Sequence, residues 1–196
     1  MPTNDGDLRQ ADRTTVIRSI QLVRQVRVAD LDRPTPCDGW SLGDLLDHMT
    51  AQHRGFAASA VGRGAELANW AVHPAGADAV EHYAAAADAV LAAFAGITDL
   101  ATPMAVPELS PTRTFPAGRA IGFHFVDYLG HSWDVARSLD LALDLPEDVV
   151  LAGLELARAI PDTPARREPG AIFGPPTPIT RDDPLHEFLA LLGRAS

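Results

Sequence analysis

The sequence lacks lysine altogether, and all 16 of its fixed positive charges are arginines. With 26 aspartates and glutamates, the formal net charge is −10 and the sequence pI is about 5.0. Nucleic acids and anionic membranes bind proteins that present a basic surface. The charge balance therefore argues against both as partners, although a few local arginines would suffice to bind a small anionic substrate.

Cysteine is nearly absent too, since Cys37 is the only one. A single thiol cannot form an intramolecular disulfide, so nothing indicates a disulfide-stapled secreted domain. No apolar run approaches the ~20 residues that span a bilayer, and the polar, acidic start is unlike a signal peptide. We therefore expect a cytoplasmic protein.

Several motifs that carry chemistry are also missing. The sequence contains no glycine-rich phosphate loop, no G-x-S-x-G elbow and no CxxC pair. Nucleotide binding, serine hydrolysis and dithiol redox chemistry therefore lose their usual support from sequence.

Helical periodicity dominates what is present. Apolar residues at helical spacing predict helices over residues 11–29, 42–60, 77–95, 117–139, 147–160 and 184–192. Between the third and fourth helices, the proline-rich residues 97–115 predict a long crossover loop with two short extended pieces. We therefore predict an all-α bundle that forms a single domain over residues 1–196, with residues 1–10 as a flexible leader.

The predicted second helix carries a histidine at the edge of its apolar stripe. Ser41 is typical of an N-cap, and Asp44 follows three residues later, close to a capping box. His48 lies one turn from Leu45 and borders the apolar face. This spacing places His48 toward the core or a cleft.

The most informative stretch lies in the predicted fourth helix. At about 100° per residue, His124, Asp127 and His131 fall within about 60° of one another on one side of the helix. Asp127 and His131 are four residues apart, so a carboxylate and an imidazole become neighbours that can share one divalent cation. His48 is the best candidate for a third ligand. The same residue types also occur as hydrogen-bonded pairs inside metal-free cores, and spacing alone leaves both readings open.

The remaining candidates have structural interpretations. We expect His53, His73, His82 and His186 at the surface, and Cys37 in a structural turn rather than as a nucleophile. Trp40 and Trp133 are expected to pack beside the site. Asp134 is expected to bond the backbone or Arg137.

Two segments resemble a known family. Residues 35–48 (TPCDGWSLGDLLDH) and residues 124–134 (HFVDYLGHSWD) are similar to the two motifs of the mycothiol-dependent maleylpyruvate isomerase N-terminal domain family. That family belongs to the DinB-like group of four-helix metal-binding bundles. Residues 173–194 resemble the ends of short, single-domain actinobacterial members.

The resemblance implies a fold and a chemistry. The fold would be a DinB-like four-helix bundle with a long crossover loop and extra C-terminal helices. The metal ligands would be His48, Asp127 and His131, where the isomerase itself has glutamate in the middle position. The residues themselves leave His124 open as a fourth ligand, as a core histidine or, as we expect, as a hydrogen-bond partner that orients the ligands. The expected cofactors are a divalent metal, zinc first and nickel second, and mycothiol or a similar thiol.

Three functional hypotheses follow from the resemblance and the composition. The chain would be a metal- and thiol-dependent transferase or isomerase acting on a small electrophilic substrate, a non-catalytic metal-binding bundle with a ligand-binding or stress-related role, or a metal-free helical protein. The expected partners are the thiol and the electrophile, with no nucleic acid and no membrane, and a homodimer is a further expectation.

Overall fold

The computed structural model describes residues 7–168 and 170–195, so residues 1–6 of the predicted flexible leader lie outside the described part of the chain. The described chain is mainly helical, which confirms the predicted fold class. The helices and strands are α1 (Arg9–Val23), α2 (Leu42–Ala60), α3 (Ala79–Ala95), β1 (Pro103–Ala105), β2 (Thr114–Pro116), α4 (Ala117–Ser138), α5 (Glu147–Arg158) and α6 (Pro184–Leu191).

The first four helices form the bundle. Helix α1 packs against α3 and α4, and helix α2 packs against the same two helices, so α1 lies diagonally opposite α2. The core between them contains Leu45 and Met49 from α2, Tyr83 from α3 and Tyr128 from α4, all fully buried. The motif-bearing helices α2 and α4 are therefore neighbours.

The capping box predicted at the start of α2 is confirmed. The Ser41 side chain accepts a hydrogen bond from the Asp44 amide at 3.2 Å, and the Asp44 carboxylate accepts one from the Ser41 amide at 3.0 Å. These two bonds satisfy amide groups that the first helical turn leaves without partners. Helix α2 therefore begins at a defined residue, six positions before His48.

The first helix is shorter than predicted. We expected it over residues 11–29, but α1 ends at Val23, and a short 3-10 turn follows at Val28–Asp30. The Asp30 carboxylate accepts hydrogen bonds from the Arg27 amide and guanidinium, which favours the turn over a continued helix. Helix α1 also begins at Arg9, inside the segment expected to be a flexible leader.

The crossover loop contains the two extended pieces that were expected. Strands β1 and β2 pair antiparallel, with Met104 opposite Phe115, and Met104 is fully buried. Helix α4 starts directly after β2. The hairpin therefore fixes where the fourth helix begins.

The connection between α2 and α3 lies against α2 through one aromatic ring. The Trp70 ring covers Gly55, where an added Cβ would come within 2.2 Å of the ring, and the Trp70 indole N–H donates to the Gly64 carbonyl at 2.8 Å. Only glycine at position 55 permits this close approach. The loop residues that follow Trp70 are thereby brought toward the start of α2.

The chain divides into two compact units between Leu143 and Asp144. In the second unit α5 packs against α6, and Arg158 forms an ion pair with Glu187 at 2.7 Å. The single-domain organisation predicted from the sequence stays a prediction. Among the described helices, none has the length and apolar character required to cross a membrane.

Candidate metal centre

A hydrogen bond in the core sets the register of α2 on α4. The Tyr128 hydroxyl donates to the Met49 carbonyl, and both residues are fully buried. Tyr128 directly follows Asp127 in α4, and Met49 directly follows His48 in α2. The bond therefore holds two of the predicted ligands side by side on neighbouring helices.

The three predicted ligands come together at this place. The ligating atoms of His48, Asp127 and His131 all lie within 4.8 Å of one another. The closest contact with a stated distance joins His131 Nε2 and Asp127 Oδ1 at 3.4 Å. His131 is buried, while the other two side chains are half-buried. The site is therefore a shallow one, formed by two imidazoles and one carboxylate.

A tryptophan covers the two imidazoles. The Trp40 ring centroid lies 4.8 Å from that of His48 and 6.5 Å from that of His131, with the second pair nearly parallel. Trp40 reaches this position through a turn in which its amide donates to the Cys37 carbonyl and Gly39 has φ +77°, a conformation that favours glycine. The expectation that Trp40 packs beside the site is confirmed.

The two histidines of the site differ in basicity. Burial lowers the pKa of His48 to about 4, against the opposing effect of Asp127. Burial would also lower the pKa of His131, but the Asp127 charge and a hydrogen bond to Asp134 outweigh it and raise the pKa to about 10. His48 therefore offers a free lone pair at neutral pH, whereas a metal at His131 must replace a proton.

The donor set fits a divalent transition metal. Imidazole nitrogen and carboxylate oxygen are the ligands that zinc uses in open catalytic sites with three protein ligands. Nickel also accepts imidazole ligands. Whether His48, Asp127 and His131 hold a metal stays a prediction, as does the identity of the ion.

Asp134 has two partners that were not expected. Its carboxylate Oδ2 lies 2.9 Å from His131 Nδ1 and 3.4 Å from Cys37 Sγ, whereas the sequence predicted a bond to the backbone or to Arg137. Asp134 is fully buried and Cys37 is half-buried. Cys37, His131 and Asp134 form a second compact group, with ligating atoms within 4.8 Å of one another. Sequence reasoning missed this group, although Asp134 follows His131 by three residues and therefore shares its helix face.

His124 does not contact the predicted ligands through its ring nitrogens. His124 Nδ1 lies 2.6 Å from Asp12 Oδ1, and Nε2 lies 3.1 Å from His53 Nδ1. Both nitrogens are engaged elsewhere in the core, so the outer hydrogen-bond partner of His131 is Asp134 and not His124. The role that we expected for His124 is therefore not supported by these contacts, which fit the alternative of a core histidine.

The surface prediction for His53 is wrong. His53 is fully buried, stacks on the Tyr128 ring at 3.9 Å between centroids, and lies between α2 and α4. Burial and the neighbouring His124 lower the pKa of His53 well below its usual value. His73 and His82 are exposed, as predicted, and His186 is half-buried.

A cavity adjoins His48 on the side away from the core. Its volume is about 350 Å³, and its lining comes from the turn before α2, the first half of α2 and the loop after Trp70: Gly39, Trp40, Asp44, Asp47, His48, Val72 and Pro74. Asp47 also accepts a hydrogen bond from the Ala75 amide at 3.0 Å. The cavity gives one predicted ligand access to a small molecule.

A further carboxylate, that of Glu108, interacts electrostatically with Asp127 of the site. Glu108, in the crossover loop, accepts a hydrogen bond from Gln52 Nε2 at 3.0 Å. Packing around the carboxylate raises the pKa of Glu108 and the Asp127 charge adds to this, although the residue as a whole is exposed. Nothing in the sequence indicated Glu108, because its position depends on the path of a long loop.

Comparison with known proteins places these features in a family. The family model described as the mycothiol maleylpyruvate isomerase N-terminal domain matches residues 13–136. That range includes His48, Asp127, His131 and Asp134.

Two relatives support the family match. Two uncharacterized proteins from two strains of Mycobacterium tuberculosis are each 31% identical over 182 residues, covering 88% of this chain and 90% of the relative. No solved structure gives a significant match. The chain therefore belongs to the mycothiol maleylpyruvate isomerase N-terminal domain family, whose members are DinB-like helical domains.

Proposed function

We propose that this chain is a divalent-metal enzyme that uses a low-molecular-weight thiol, mycothiol in the first place, to transform a small electrophilic substrate by transfer or isomerisation. The observation that carries the proposal is the convergence of His48, Asp127 and His131, of which His48 lines an open cavity. A structural metal site is usually closed by four protein ligands, whereas three ligands beside a cavity suit a catalytic one.

The three donors would hold the cation, with zinc as the first choice and nickel as the second. When bound, the cation would act as a Lewis acid that lowers the pKa of a coordinating thiol and so favours the nucleophilic thiolate. The remaining tasks fall to the side chains around the site. Trp40 covers the two imidazoles and limits the access of water on that side.

The reaction also needs a place for the thiol proton. As the thiol sulfur forms a bond with the electrophilic carbon, its proton passes to a base. The raised pKa of Glu108 makes its carboxylate a better proton acceptor than an ordinary glutamate, so we assign to it the acceptance and later return of this proton. In transfer the leaving group departs from the same carbon. In isomerisation the carbon–sulfur bond breaks again and releases the thiol.

The test begins with metal content. Protein purified without an affinity tag or added metal is analysed for bound elements, as wild type, His131→Ala and His186→Ala. His186 lies in α6, outside the residues that the family model matches, and serves as the matched control. We expect near-stoichiometric metal in wild type and in the control, and its loss in His131→Ala.

Turnover is then measured with mycothiol and a panel of small electrophiles. Activity that depends on both thiol and metal, and that disappears in His131→Ala, would support the proposal. Metal uptake with no turnover would instead favour a non-catalytic metal-binding bundle. Activity that survives complete removal of the metal would overturn the proposed chemistry.

A further inference from the structure

We propose that Asp134 is the residue that positions His131 for metal binding, and that Cys37 supports Asp134 in this task. The inference rests on the proposed metal site and extends it to two residues outside the ligand set. His131 Nδ1 lies 2.9 Å from Asp134 Oδ2, while Nε2, on the other edge of the ring, lies 3.4 Å from Asp127.

The contact selects one tautomer of His131. A carboxylate only accepts hydrogen bonds, so Asp134 takes the Nδ1–H of the imidazole. In the neutral ring the lone pair then lies on Nε2, the atom 3.4 Å from Asp127. Asp134 therefore directs the ligating nitrogen toward Asp127 and His48, as outer carboxylates do for metal-bound histidines.

Burial makes this orientation rigid. Asp134 is fully buried on α4, one helical turn beyond His131, so its carboxylate has little freedom to leave. A buried hydrogen bond to a charged acceptor is stronger than a neutral one in water. Asp134 thus restrains the ring of His131 as well as its tautomer.

Cys37 contacts the same carboxylate oxygen of Asp134. Its thiol donates to Asp134 Oδ2 at 3.4 Å, and its Sγ lies 4.0 Å from His131 Nδ1. A buried carboxylate is costly unless it is hydrogen-bonded, and the thiol contributes one such bond. The turn that carries Trp40 over the imidazoles thus also supplies a donor behind them.

The test measures the dissociation constant for Zn²⁺, by competition with a chromophoric chelator, for wild type, Asp134→Ala, Cys37→Ser and Asp12→Ala. We expect Asp134→Ala to weaken binding by about 10- to 100-fold. Cys37→Ser should stay close to wild type, because the serine hydroxyl restores a donor. Asp12→Ala is the matched control, since it removes another buried aspartate that accepts from a histidine, His124, at 2.6 Å.

A spectroscopic readout separates positioning from a loss of folding. Nitrogen NMR of histidine-labelled, zinc-loaded wild type should show a slowly exchanging proton on His131 Nδ1, because Asp134 holds it in a buried hydrogen bond. In Asp134→Ala loaded with excess zinc, this proton should exchange faster with solvent while the rest of the spectrum keeps the dispersion of a folded protein. Equal zinc affinity in wild type and Asp134→Ala would overturn this inference while leaving the proposed function intact. Absence of zinc binding by wild type would overturn both.

Cadmium binding tests the role of Cys37. If Cys37 only donates to Asp134, the cadmium-loaded protein shows no thiolate-to-metal absorption band. A strong band that disappears in Cys37→Ser would identify Cys37 as a ligand and overturn its role as a supporting donor.

Discussion

At the scale of single residues, the buried polar side chains divide into two groups with different surroundings. One group adjoins the cavity through His48 and comprises the predicted ligands together with Asp134 and Cys37. The other joins α1, α4 and α2 deep in the bundle through Asp12, His124 and His53. The first group reaches the cavity through His48, whereas His124 and His53 in the second group are fully buried, so the two groups should respond to different perturbations.

His53 should make stability depend on pH. Its pKa in the folded chain lies well below the usual value of 6.5, so the folded state keeps it neutral while the unfolded chain gains a proton below pH 6.5. The free energy of unfolding should therefore fall as the pH drops below this value, by up to about 1.4 kcal/mol per pH unit from this group.

Denaturant unfolding of the metal-free protein at several pH values tests this expectation. His53→Gln removes the group, and its stability should decline less steeply than that of wild type between pH 6.5 and about 5. Parallel curves for the two proteins would contradict the assignment. Comparing slopes rather than absolute stabilities removes the cost of the substitution itself.

At the scale of elements, the packing of a loop on α2 depends on one missing side chain. Gly55→Ala places a Cβ 2.2 Å from the Trp70 ring, which must then shift. Overpacking of this kind costs about 1–3 kcal/mol. Gly43→Ala, on the same helix, is the matched control, because its Cβ would meet its nearest atom at 3.4 Å, an ordinary contact.

A double-mutant cycle with Trp70→Ala isolates the steric cost of the Gly55→Ala substitution. In the Trp70→Ala background, Gly55→Ala should cost little or even stabilise, since alanine is preferred over glycine inside a helix by about 1 kcal/mol. The measurement is the free energy of unfolding for the four proteins. An equal cost in both backgrounds would show that the ring does not restrict position 55.

The start of α2 and the face of α4 that carries the predicted ligands were both predictable from sequence patterns. Ser41 and Asp44 correctly predicted the start of α2, because a helix cap depends only on residues close in sequence. The spacing of Asp127 and His131 likewise placed both on one side of α4. Capping residues and helical period therefore predicted the helices, and they predicted which residues share the helix face that carries the site.

Contacts between helices were harder to predict. His53 was expected at the surface, because the period of α2 cannot show that α3 and α4 both cover it. Asp134 was expected to bond the backbone or Arg137, whereas its partners include Cys37, 97 residues away in the chain. Helical period shows which residues share a face but not which segment covers that face.

At the scale of the whole molecule, a metal that binds only the folded chain should raise its melting temperature. At a free metal concentration of 100 times the dissociation constant, the stabilisation is about 2.7 kcal/mol. For a chain of this size that corresponds to a shift of about 5–10 °C. Calorimetry with and without Zn²⁺ measures the shift, and excess chelator should reverse it.

His131→Ala provides the control for this shift. Its melting temperature should not respond to Zn²⁺, because the site loses a ligand. If the two compact units on either side of Leu143 melt separately, only the transition of the unit that holds the ligands should move. An equal shift in wild type and His131→Ala would indicate binding elsewhere.

The diagonal placement of α1 and α2 has a consequence for synthesis on the ribosome. Helix α1 packs against α3 and α4, which the ribosome makes later, so its apolar face stays uncovered while α2 emerges. A nascent chain that stops before Ala79 thus presents an amphipathic helix with neither of these partners. We expect chaperones to engage this segment during translation, and mutations that slow elongation between α2 and α3 to reduce the yield of soluble protein.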